Sequence, residues 1–143
     1  MIRTLATALF LLATVLVHGQ TRVKLTNITI NEKDQVRTGE DAMAYLVKAE
    51  GNDRVVLYDQ NGTTLKTQVR VRTHDSNRSS LKEGAVYLTF ELRLSVDGKE
   101  DRRTVQKVFY AEQERKTTIT EKYTFKQGID MRVITVKFDA TLE

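Results

Sequence analysis

His74, Asp75 and Ser76 are the residue types of a nucleophilic triad, and they stand side by side in this chain. A triad works because Asp orients His and His reaches Ser, a geometry that folding assembles from separate segments. Three consecutive residues in the polar, serine-rich stretch from Thr73 to Glu83 do not offer it, so that stretch is read as a solvated loop. The chain has two histidines, His18 and His74, and no cysteine, too few ligands for a zinc site built from His, Cys and carboxylates.

Carboxylates gather at Asp97, Glu100 and Asp101, and Asp59 stands just ahead of Asn61-Gly62. Calcium takes six or more oxygens, and the Asp59-to-Gly62 run lacks the later bidentate Glu of a calcium loop. Turn chemistry accounts for Asp and Asn at such places. Glu91 and Glu121 are the strand carboxylates that could work as a glycosidase pair, provided they faced each other across a cleft. Pairing with a neighbouring Arg or Lys explains each of them without catalysis. No catalytic residue, metal ligand or cofactor is therefore expected.

The remaining chemistry is cationic. Lys66, Arg70 and Arg72 share one face of an alternating run, where Arg93 or the Arg102-Arg103 pair could join them. Such a stripe could hold an acidic polymer, such as anionic lipid headgroups or acidic glycans, or an acidic protein partner. It also serves solubility and discourages edge-to-edge pairing of strands. Without interleaved aromatics, and with a formal net charge of only +4, it is not a nucleic-acid surface.

Strands must position these residues. From Val86 to Val96, Val86, Leu88, Phe90, Leu92, Leu94 and Val96 alternate with Tyr87, Thr89, Glu91, Arg93 and Ser95. That period of two predicts a central strand. Thr63 to Thr73 alternates in the same way, and Asn61-Gly62 joins it to Arg54–Asp59 as a type I′ hairpin. Val23 to Ile30 reads as a first strand whose parity changes near Asn27, which a bulge there would reconcile. Ala42 to Ala49 reads as a strand or a short helical turn. Asp97-Gly98 begins a turn before Arg103–Glu112, and Thr117–Lys126 follows. The last strand carries Ile134, Val136, Phe138, Ala140 and Leu142 on one face and Met131 and Val133 on the other, so both faces are expected to be partly covered. Glycines 39, 51, 62, 84, 98 and 128 fall between strands, where backbone freedom is wanted.

Residues 1–19 read as a secretory signal peptide: Arg3 near the start, an apolar run from Leu5 to Val17, and Gly19 at the cleavage point. No later stretch approaches the roughly 20 apolar residues of a membrane-spanning helix. Absence of cysteine tilts the reading toward a bacterial periplasm, cell surface or exterior. Asn27, Asn61 and Asn77 open Asn-x-Ser/Thr triplets, which would accept glycans only in a eukaryotic host. In general style, though through no diagnostic motif, the chain resembles small exported β-sandwich modules of Gram-negative bacteria.

Residues 20–143 are thus expected to form one all-β domain, an immunoglobulin-like sandwich of about eight strands, with a small up-and-down β-barrel as the alternative. The sandwich reading implies a non-enzymatic exported protein acting by protein–protein or cell-surface contact, for example as an envelope accessory or assembly factor. Its first strand (Val23–Ile30) or last strand (Arg132–Leu142) would offer a free edge for β-augmentation. The barrel reading implies a carrier of an apolar small molecule, with Phe90, Phe109, Phe125 and Phe138 lining its cavity.

Overall fold

The computed structural model describes residues 20–47, 51–73, 84–110 and 115–143. The signal-peptide reading and the His74-Asp75-Ser76 segment fall outside these residues. Nine strands make up the described fold: β1 (Gln20–Glu32), β2 (Gln35–Thr38), β3 (Ala42–Val47), β4 (Asn52–Gln60), β5 (Thr63–Thr73), β6 (Ala85–Val96), β7 (Lys99–Tyr110), β8 (Lys116–Gln127) and β9 (Asp130–Leu142).

The strands form two antiparallel sheets packed face to face, the expected β-sandwich. In the first, β1 lies between β9 and an edge made of β2 and β3, and β8 flanks β9. The second runs β4-β5-β6-β7. β2 pairs with Thr29–Glu32 and β3 with Gln20–Leu25, so together they form one interrupted edge and the expected eight strand positions are filled. Neighbours in the sheets are neighbours in the chain, except that β1 pairs with β9 and, past the short β2, with β3. This is the up-and-down order of a meander; no strand crosses between sheets in Greek-key fashion. The ring is flattened into a sandwich because no ladder joins β3 to β4 or β7 to β8.

Local chemistry explains the elements. The inward residues of β6 expected from the alternation, Leu88, Phe90, Leu92 and Leu94, are fully buried. Asn61-Gly62 and Asp97-Gly98 both hold positive φ (52° and 76°, 49° and 84°), the signature of type I′ turns. Asn27 sits at φ 53°, and the β1–β9 register shifts between Thr26 and Thr29, which is the expected bulge. Its side-chain amide donates to Asp139 Oδ2 at 2.8 Å. The four phenylalanines named above are all buried, and the rings of Phe90 and Phe138 meet edge to face across the sandwich at 6.0 Å.

Several expectations are corrected. β1 and β9 are not edges: each is hydrogen-bonded on both sides, because the two ends of the domain pair with each other. No described strand packs over the outer face of β9, which is only partly covered by neighbouring side chains: Met131 is 58% exposed and Val133 39%. Ala42–Val47 is a strand and not a helical turn, its buried Ala44 and Leu46 alternating with exposed Tyr45. Gly39 is needed for close approach and not for unusual dihedrals: a Cβ there would stand 2.2 Å from the Leu57 carbonyl oxygen and 2.9 Å from Ile28 Cγ2. β7 starts at Lys99, earlier than the turn after Gly98 suggested.

Candidate functional site

The outer face of the second sheet carries the cationic stripe. Two-residue turns fix the register within the β4–β5 and β6–β7 hairpins. Lys66 stands opposite Arg93, which stands opposite Arg102. Arg70 and Arg72 follow along β5, and Arg54 on β4 pairs with Gln68. Strands lie about 4.8 Å apart and same-face residues about 6.8 Å, so these six cations form a lattice of fixed pitch.

Among the described residues three carboxylates share that face, Glu91, Glu100 and Asp59, and each is already engaged, Asp59 by Thr64. Arg93 Nη2 bonds Glu91 at 2.9 Å, while Glu100 lies 3.6 Å from Arg102 and 3.9 Å from Arg93. The hydrogen bond from Arg93, helped by the charges of Arg93, Arg102 and Arg70, holds the Glu91 carboxyl below its ordinary range. Lys66, Arg70 and Arg72 are exposed and form no ion pair among the described residues. A shallow cleft of about 270 Å³ opens beside them, lined by Arg54, Val56, Lys66, Gln68, Glu91 and Arg93. Exposed Val56 contributes its apolar contact.

Arg103 does not join its neighbour Arg102. It takes the opposite register, bonds Asp101 at 3.1 Å, and places its guanidinium 5.3 Å from the centre of the Tyr123 ring. Burial pushes the Tyr123 hydroxyl well above its usual range, and it has no hydrogen-bond partner among the described residues. The β6–β7 register, which a two-residue Asp97-Gly98 turn dictates, separates Arg102 from Arg103. The β5–β6 register that adds Arg93 to Lys66 depends on residues 74–83 and has no comparable sequence signal.

The carboxylates considered for chemistry are dispersed. Glu91 faces outward on the second sheet, whereas Glu121 belongs to the register of Ile119 and Tyr123 on the first; they do not flank one cleft. Asp97 is bonded by Arg132 Nη1 at 3.1 Å, and Asp59 accepts from Thr64 Oγ1 at 3.0 Å. Among the described residues, no group of three or more His, Cys, Asp or Glu side chains could hold a metal. No described helix is long and apolar enough to cross a membrane.

What this face can do follows from guanidinium chemistry. Arg presents a planar fork that bonds carboxylate, sulfate or phosphate through two donors at once. Held on a rigid sheet, that fork loses little freedom on binding. The chain matches no protein-family model, no curated protein and no solved structure.

Proposed function

We propose that this chain is an exported, non-enzymatic contact protein that presents the outer face of its second sheet to an acidic partner. The partner is another envelope or secreted protein, or an acidic surface polymer, met in the periplasm, at the cell surface or outside. One observation carries the reading: Lys66, Arg70 and Arg72 are exposed on one face of β5 and form no ion pair among the described residues, and that face continues to Arg54, Arg93 and Arg102. Such an arrangement steers and orients an acidic surface, and salt weakens it.

Titration with polyglutamate, a soluble stand-in for an acidic partner, tests it. Wild type should bind at low salt and weaken as salt rises. Lys66→Glu/Arg70→Glu/Arg72→Glu should bind at least tenfold more weakly, since it replaces attraction by repulsion at three adjoining positions. Equal binding by the two proteins would remove this face from the contact. The N-terminal sequence of the protein recovered from its host, expected to begin near Gln20, tests export separately.

A further inference from the structure

The first sheet also has a basic outer face, but of a different kind. Its exposed cations on β8 and β9 are lysines: Lys116, Lys122, Lys126 and Lys137. One carboxylate shares that face, Asp139, and it is already held by Thr118 at 2.6 Å, Asn27 at 2.8 Å and Lys116 at 3.7 Å. Those bonds, Thr118 first, keep its carboxyl below the ordinary range and engage it within the sheet.

Beside the lysines runs an apolar ladder. Ile129, at the tip of the β8–β9 hairpin, is fully exposed, with Met131 and Val133 next along the outer face of β9. Gly128, at φ 61°, takes the first position of the two-residue turn, and Ile129 has no folding role in the second. Lys126 is the cross-strand partner of Met131, and Lys122 that of Thr135. The one acidic neighbour in the turn, Asp130, alternates onto the register of Arg132 and Ile134. The tip is also stiff. Arg132 bonds Glu32 through two nitrogens at 2.7 Å each and reaches Asp97, while Lys99 donates to the Lys126 carbonyl.

We infer that the β8–β9 tip docks on an anionic lipid surface, with Ile129 and Met131 entering the boundary of headgroups and chains, Lys126 contacting the phosphates, and Lys122, further up the same face, adding electrostatic attraction. A soluble polyanion gains nothing from an exposed Ile-Met-Val ladder, whereas a bilayer interface rewards both features together. The dimensions agree. Residues alternate at about 6.8 Å, so the tip and its first rung reach the 5–10 Å depth at which interfacial side chains sit. Lys126 then lies at headgroup level, with a long stem able to follow the surface. The preformed hairpin docks without the cost of ordering a loop.

Flotation with vesicles tests the inference, with wild type and variants purified identically from one host so that any leader residue is common to all. The wild type should float with equimolar phosphatidylcholine and phosphatidylglycerol, and not with phosphatidylcholine alone. Ile129→Asp should weaken binding about tenfold, the worth of one buried aliphatic side chain. Lys122→Glu/Lys126→Glu should weaken it at least as much, whereas Lys66→Glu/Arg70→Glu/Arg72→Glu should leave it intact. Polyglutamate binding should be unchanged by Ile129→Asp. The inference fails if wild type ignores anionic vesicles. It fails equally if Ile129→Asp floats like wild type, a sign of an acidic polymer or protein as the true occupant, or if only the second-sheet variant loses binding. None of these results bears on the polyglutamate titration, so the two surfaces stand or fall independently.

Discussion

The two sheets meet along two seams, and the seams are closed by different chemistry. Where β2 and β3 approach β4, backbone groups take part directly in the closure. Gly39 lies against the Leu57 carbonyl, and the Tyr45 amide donates to Asp53 Oδ2 at 2.9 Å. Where β7 approaches β8, closure is by long side chains: Arg103 over Tyr123, and Lys99 reaching the Lys126 carbonyl. A ring of eight strands thus stays a sandwich because neither seam carries a ladder, yet only one tolerates no extra atom. Between the seams, at the hairpin end, Arg132 ties Glu32 of the first sheet to Asp97 of the second.

Three substitutions sharpen or break that contrast. Gly39→Val should cost most, about 3 kcal/mol, because the clashing atoms are backbone and cannot swing aside. Chemical denaturation measures it, and near-wild-type stability would mean that the first seam is as loose as the second. Arg132→Met should cost about 2 kcal/mol, since its pair with Glu32 is bidentate and each side chain is only about one-fifth exposed. The Glu32 carboxyl is held below its ordinary 4.5 by the hydrogen bond from Arg132. Its stabilisation is therefore present above the unfolded-state value and lost as pH falls through the lower folded-state value. Wild-type stability should drop over that acidic window, and the Arg132→Met profile should be flatter. Arg103→Met should cost least, about 0.5–1 kcal/mol, the worth of a partly exposed cation–π contact. A thermal shift as large as that of Gly39→Val would erase the difference between the seams.

The same contrast explains what the sequence could convey. β6 is legible because it buries one face fully and apolar residues recur there with strict alternation, and β5 nearly so, its buried face broken only by Thr63 and Thr67. The hairpin turns were legible because Asn61-Gly62 and Asp97-Gly98 have few other uses. β2 was not, since Gln35–Thr38 is a short edge strand with three of its four residues exposed and no apolar face to show. β7 announced itself poorly because its inward register contains Asp101, Arg103 and Lys107, polar residues that suit an open seam. The stripe of Lys66, Arg70 and Arg72 followed from parity within one strand. Its extension to Arg93 required pairing across residues 74–83, and parity holds no information about that. The pairing of β1 with β9 was hidden for the same reason, so both were taken for edges.

That last pairing has a consequence for how the molecule comes to exist. Every other ladder joins strands adjacent in sequence or, for β1 and β3, separated only by the short β2, and such local pairings close quickly because little chain entropy is lost. β4 to β7 can assemble as soon as they emerge. β1 must wait, its hydrogen-bonding edge unfilled, until β9 arrives more than a hundred positions later. The first sheet is therefore completed only when nearly the whole domain has been delivered. An interrupted chain leaves open the β1 edge that β9 would fill, a ready mark for proteolysis or unwanted pairing.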